Sequence, residues 1–247
     1  CIRDSLRPVL RDRVVENPLP AVWTHTRYQR ASLTVEGIVQ TTAENWDPWL
    51  LELITHGYVV LCVDVRGGGA SFGTNAGQYP PQETRDAYDI TEWIAARSWC
   101  DGNVGMYGRS YLGITQYFAA SQHPPHLKAI FPEMAGFDHY GYAYAGGVFR
   151  ESSRFNWQLL VGNLDQSVAR VWKAAYQGPV APLDEDVDGE MLESAQSEHR
   201  SNQDWYRMLE SCPFRDSRAP ESGEMLHQTR SAAAVRAEVE ESGVAMY

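Results

Sequence analysis

The sequence predicts an α/β fold: a doubly wound, mainly parallel sheet with a helical insertion. Three observations carry that expectation. Strand-length apolar runs alternate with helical spacing over residues 1–136. One run, Tyr58 to Val65, is nearly continuous, as in a parallel strand covered on both faces. Val104 to Tyr107, Ser110 among glycines, and Ile114 to Ala120 read as strand, sharp turn and helix.

In chain order, Cys1 to Asn17 is polar and basic and predicts a partial edge strand or hairpin. Leu19 to Thr26 predicts a buried strand, with Arg27-Tyr28-Gln29-Arg30 at its C-terminal end. Ligand-facing loops of open α/β sheets stand at such ends. Asn45 or Asp47 can cap a helix with Pro48 in its first turn, running to about His56 and stopped by Gly57. After Tyr58 to Val65 comes the glycine-rich Arg66 to Gly73. A dinucleotide fingerprint fails there because its third glycine would fall at Phe72, and the Walker pattern fails for want of Gly-Lys-Ser/Thr. The loop reads as a tight surface turn.

Glu83 to Ser98 predicts a helix with Ala87, Ile90 and Ile94 on one face. Leu127 to Phe131 predicts the next strand. Beyond Gly136 the character changes. Phe137 to Gly147 is rich in Tyr and Gly, Arg154 to Tyr176 has helical spacing with Trp157 and Trp172, and Pro182 to Glu198 is acidic. Glu224 to Glu241 predicts a last helix, and Val244 to Tyr247 the opening of another strand. Three regions result: a core over 1–136, a helical cap insertion over 137–223, and a return to the core over 224–247. More helices flanking the sheet is the other reading of 137–223.

Composition narrows function. The chain has 247 residues, 21 Lys and Arg against 32 Asp and Glu, and a formal net charge of −11. No basic face is offered to nucleic acid. No apolar run is long enough to span a bilayer. Four cysteines, none in C-x-x-C, predict neither zinc nor a disulfide framework. No cofactor or metal is expected. Cys1 stands first, with no charged-then-apolar leader, and predicts a processed terminus or a piece of a longer chain.

Gly108-Arg109-Ser110-Tyr111-Leu112-Gly113 is the chemically informative stretch. A serine on a strand-to-helix turn is a nucleophile elbow, the hallmark of the α/β-hydrolase fold. Its second glycine stands one place later than in G-x-S-x-G. Taken alone, the stretch also reads as an ordinary Gly/Ser junction. Its neighbours favour the elbow. Asp86 to Ile94, Trp99 to Gly108 and Ser110 to Gln116 strongly resemble the CocE/NonD hydrolases, the cocaine-esterase, α-amino-acid-ester hydrolase and Xaa-Pro dipeptidyl-peptidase-like serine hydrolases. The Asp64-Val65-Arg66-Gly67 stretch is similar to that family's Asp-x-Arg-Gly loop, and the displaced Gly113 matches its Gly-x-Ser-Tyr-x-Gly.

The resemblance implies roles. Ser110 matches the nucleophile, and the backbone N–H of Tyr111 matches one oxyanion donor. Tyr28 stands where the family places a second donor, a tyrosine hydroxyl, although Arg27 replaces the proline that usually precedes it. A packed rim tyrosine is the other reading of Tyr28. The implied activity is cleavage of an ester or amide, on a small molecule or short peptide, through an acyl-enzyme. Cap aromatics would favour hydrophobic acyl groups.

In α/β-hydrolases the triad runs Ser, acid, His. The resemblance implies that the acid follows a strand just after the cap and that the histidine lies beyond it. Val244 to Tyr247 looks like the start of that strand, so acid and base are expected beyond residue 247. His199 or His227 after Asp165 would satisfy chain order, but surface or capping roles are expected for all seven histidines. The alternatives are a catalytically incomplete fragment or split chain, and a non-enzymatic binding module of the same fold.

Overall fold

The structure, a computed structural model, describes residues 3–7, 9–10, 13–45, 48–172 and 175–247. Its centre is a six-stranded sheet. In chain order the strands are β1 (Arg3–Leu6), β2 (Leu19–Thr26), β3 (Val59–Asp64), β4 (Cys100–Arg109), β5 (Leu127–Glu133) and β6 (Ala245–Met246). The spatial order is β1-β3-β2-β4-β5-β6. Only β1, on the edge, runs antiparallel; the other pairings are parallel. The expected edge strand is therefore β1, and a small hairpin, Val9–Leu10 with Arg13–Val14, follows it.

Helices α1 (Trp49–Thr55), α2 (Pro81–Ala95) and α3 (Tyr111–Ala120) make the crossovers. Side chains alternate across β3. Val59, Leu61 and Val63 join Ala87, Ile90 and Ile94 of α2 in the main core, while Val60 and Cys62 face Leu50 of α1. Every residue of β3 is buried, as its continuous apolar run predicts. On the α1 side, β2, β4 and β5 border an open groove of about 600 Å³ that includes Val22, Tyr107 and Phe131.

Segment 137–223 contains α4 (His139–Ala143), α5 (Glu151–Asp165), α6 (Glu190–His199) and α7 (Trp205–Glu210). Several expectations are corrected. The helical spacing from Arg154 to Tyr176 overshoots: α5 stops at Asp165, and Arg170–Trp172 pairs with Ala175–Gln177 as a hairpin. Ser167 at positive φ breaks the helix. Glu224 to Glu241 is not one helix. It is a single α-helical turn at Leu226–Thr229, a 3₁₀ stretch at Ala232–Val235, and α8 (Arg236–Ser242). Ser231 in an extended conformation separates the pieces, and its Oγ donates to Phe137 O at 3.0 Å. Pro48 stands just before α1 and has no side-chain cap bond; Asp47 lies outside the described residues. Helix α2 ends at Ala95 and β5 continues to Glu133, each boundary shifted by a few residues.

Candidate active site

The elbow is built by close backbone approach. Ser110 joins β4 to α3 with φ 57° and ψ −120°, a region costing about 1–3 kcal/mol for a residue with a side chain. Its N–H donates to Glu133 O at 3.0 Å, and its carbonyl accepts from Gly113 and Ile114. Two glycines make the turn possible. A Cβ on Gly108 would lie 2.6 Å from Leu112 Cβ, and one on Gly113 would lie 2.8 Å from Glu133 O. The displaced glycine thus has a physical reason: position 113, not 112, passes against the end of β5. Gln116 fastens the same corner, accepting from Phe131 N at 2.8 Å and donating to Gly108 O at 3.2 Å.

Ser110 is exposed. Tyr28, just past β2, is half-buried, and its hydroxyl neighbours Ser110. Trp157 on α5 donates its Nε1–H to Tyr28 Oη at 3.2 Å. Burial pushes the Tyr28 phenol up, and the bond from Trp157 and the neighbouring Ser110 hydroxyl offset this in part. Its proton is therefore held at neutral pH and can be donated. Tyr111 opens α3, so its N–H has no acceptor within the helix. The structure brings Ser110, Tyr28 and Tyr111 together; the Tyr28 and Tyr111 rings meet edge to face at 6.4 Å.

Several contributors carry no local sequence signal. Arg27, the residue in the proline position, pairs through both Nη groups with both carboxylate oxygens of Asp165, the last residue of α5; Nη2 to Oδ2 measures 2.7 Å. Burial works against the Arg27 charge, and the Asp165 carboxylate overrides it, so the guanidinium holds its proton more tightly than usual. Asn202 donates to Asp165 Oδ2 at 2.8 Å and to Gly67 O at 2.7 Å. Glu83 on α2 accepts the Tyr111 hydroxyl at 2.9 and 3.0 Å. Desolvation lifts Glu83 to about 8, so it is a neutral acid at pH 7. Trp157 is 129 positions from Tyr28, and no helical periodicity encodes such a pairing.

The glycine-rich loop is not a surface turn. Gly67 to Ser71 is buried. Asp64, at the end of β3, accepts Arg30 N at 2.6 Å and Ala70 N at 3.0 Å. From above, His199 meets Ser71 O and Glu198 accepts Gly73 N. Segment 137–223 covers the loop.

Of the seven histidines expected in surface or capping roles, four are not on the surface. His25, His139, His199 and His227 are buried. His199 lies between Ser71 O at 2.7 Å and Asp165 O at 2.9 Å. His139 and His227 face each other through Nδ1 at 3.2 Å, and His227 Nε2 meets Cys212 O. Among the described residues His25 finds no hydrogen-bond partner at either nitrogen. His56 and His123 are exposed, and His126 pairs with Glu92. Among the described residues none is hydrogen-bonded to Ser110, and no group of three or more His, Cys, Asp or Glu is placed to hold a metal ion. Also among the described residues, no helix is long and apolar enough to cross a membrane.

A mostly parallel sheet, flanking helices and a serine on the β4–α3 turn define an α/β-hydrolase-type fold. A CocE/NonD family hydrolase from Staphylococcus aureus superposes with a TM-score of 0.58 at 22% identity, over 87% of this chain and 34% of that one. An α-amino acid ester hydrolase superposes with a TM-score of 0.57 at 20% identity, over 95% and 40%. The chain belongs to the X-Pro dipeptidyl-peptidase (S15) family, whose model matches residues 4–237. It is 35% identical over 181 residues to cocaine esterase of Rhodococcus sp. (strain MB1 Bresler), covering 70% of this chain and 30% of that protein. It is 35% identical over 77 residues to Xaa-Pro dipeptidyl-peptidase of Lactobacillus delbrueckii subsp. lactis, 25% of this chain and 10% of that one. The chain therefore spans less than a third of the length of these curated relatives. They are esterases and peptidases, and the family is one of hydrolases.

Proposed function

We propose that this chain carries the nucleophile and the oxyanion donors of a serine hydrolase that cleaves esters or amides of small molecules or short peptides. The observation that carries this is the exposed Ser110 on a strained elbow, beside the Tyr28 hydroxyl that Trp157 Nε1–H meets at 3.2 Å. Ser110 Oγ attacks the carbonyl carbon as its proton passes to a base. The Tyr28 O–H and Tyr111 N–H receive the negative oxygen, where one such donor contributes about 3–4 kcal/mol to the transition state. Collapse expels the alcohol or amine, which takes the proton from the base and leaves an acyl-Ser110 ester. Water repeats the sequence and frees the acid.

The base and its orienting acid are supplied by residues outside 1–247. The engagement of the buried histidines elsewhere supports this. Segment 137–223 is proposed as a cap, supported by the bonds from α5 and α6 to the loops after β2 and β3. Its aromatics are proposed to favour hydrophobic acyl groups.

A fluorophosphonate probe and p-nitrophenyl esters test the reading in the full-length protein. Labelling and turnover are both expected to disappear in Ser110→Ala. Turnover that survives this change refutes Ser110 as nucleophile; an unlabelled Ser110 favours a binding module of the same fold. Assay of residues 1–247 alone tests the missing base, and robust Ser110-dependent turnover there would refute it.

A further inference from the structure

Four arginines are buried among the described residues: Arg27, Arg30, Arg154 and Arg230. Arg27 pairs with Asp165 and Arg230 with Glu224, and Arg30 lies 4.0 Å from the Asp64 carboxylate. Arg154, on α5, has no carboxylate partner among the described residues. Its Nη2 donates to the Tyr142 hydroxyl at 2.9 Å and to Ser153 Oγ at 2.8 Å. Its Nε and Nη1 are buried with no hydrogen-bond partner. A desolvated cation with idle donors is costly unless an anion meets it.

A second feature has the same sense. Arg150, one turn earlier, reaches the same tyrosine. The Arg154 guanidinium lies 4.1 Å from the Tyr142 ring centroid and that of Arg150 lies 5.6 Å away. Like charges four residues apart at a helix start repel, and the helix N-terminus is itself the positive end. Glu151, between them in sequence, pairs with neither. In a chain of net charge −11, two cations without acids mark a place for an anion.

The position is beside the elbow. Trp157 follows Arg154 by three residues on α5, hence on the same face, and bonds the hydroxyl of Tyr28, the neighbour of Ser110. Tyr142 is exposed, and its ring lies against the Arg154 guanidinium, which places the buried cation one exposed side chain from solvent.

We propose that Arg154, with Arg150 and the Tyr142 hydroxyl, is a carboxylate-binding subsite selecting ester or amide substrates that carry a free carboxylate near the scissile bond. This rests on the serine-hydrolase reading for its catalytic consequence but not for binding. One buried guanidinium and one phenol match a single negative charge; a phosphate would bring a second charge with only exposed Arg150 to meet it.

The test uses the full-length protein, with p-nitrophenyl hydrogen succinate against p-nitrophenyl butyrate. The ratio of their kcat/KM values is expected to fall at least about tenfold in Arg154→Met, through KM for the succinate ester, and about threefold in Arg150→Ala, with partial recovery in Arg154→Lys. An unchanged ratio in both Arg154→Met and Arg150→Ala overturns the subsite. Calorimetry with methyl hydrogen succinate and with inorganic phosphate gives a second arm that needs no turnover. Saturable succinate binding that is lost in Arg150→Ala, whose side chain is exposed, supports it; no binding, or preference for phosphate, overturns it. Failure of the hydrolase reading looks different: neither ester is turned over in a Ser110-dependent way, while binding persists.

Discussion

Trp157 Nε1 donates to the Tyr28 hydroxyl oxygen at 3.2 Å, joining α5 to the loop after β2. The bond occupies a lone pair of the phenol oxygen and leaves its O–H free to donate elsewhere. A residue of the proposed cap thereby orients a proposed oxyanion donor, and its contribution reaches the chemistry through Tyr28.

Tyr28→Phe keeps the ring and removes the donor. The expected loss is about 10²–10³ in kcat on a neutral p-nitrophenyl ester, with little change in KM. Steady-state kinetics of the full-length protein decide this. A loss confined to KM would return Tyr28 to the role of a packed rim residue.

Trp157→Phe keeps the stack on Tyr111, whose ring centroid is 6.1 Å away, and removes only the N–H. One neutral hydrogen bond contributes about 1 kcal/mol, so kcat should fall roughly fivefold. If Trp157→Phe still lowered kcat in a Tyr28→Phe background, the two residues would be acting independently.

Arg27 and Asp165 are both buried, and each Nη finds its own carboxylate oxygen. Arg27→Met strands a buried carboxylate and should cost about 3–5 kcal/mol in denaturant unfolding. Adding Asp165→Leu removes the orphan and should restore most of the loss. A double variant no more stable than Arg27→Met would show that the pair is not the reason for the cost.

Glu83 has the opposite pH sign from most carboxylates. Desolvation lifts it from 4.5 to about 8, so between those values the folded state binds more protons than the unfolded chain. Stability from this group is full below about pH 4.5 and is lost as pH rises through 8. Glu83→Gln mimics the neutral acid and removes that slope. The melting temperature of Glu83→Gln relative to the parent should rise between pH 5.5 and 8.5; a flat difference would contradict a neutral Glu83.

His25 acts at the other end of the scale. Complete burial without a partner lowers it from 6.5 to about 4, so the unfolded chain binds the extra proton in that window. Stability from this group is present above pH 6.5 and declines as pH falls through about 4. His25→Leu should flatten the acid limb and be neutral or stabilising by up to about 1 kcal/mol at pH 7, since it removes buried, unpaired polar atoms. Urea midpoints at pH 4.5 and 7 check this, and parallel acid limbs in both proteins would contradict it.

Much of the core was readable because its signals are local. The continuous apolar run of β3, the one-faced spacing of Ala87, Ile90 and Ile94, and the glycines around Ser110 each describe a single element. Gly113 is instructive: sequence placed it one position late, and the approach of Glu133 O explains the position. Periodicity misled where a breaker intervened, at Ser167 after α5 and at Ser231 before α8.

By itself, the sequence determined the parallel α/β core and the serine turn, because strand and helix periods and turn glycines are properties of neighbouring residues. Only the tertiary structure decided that Trp157 meets Tyr28, that Arg27 finds Asp165, that Glu83 is neutral and that four histidines are buried. Those outcomes depend on which distant side chains share a desolvated space. Burial and pairing across more than a hundred residues set them, and no local pattern records either.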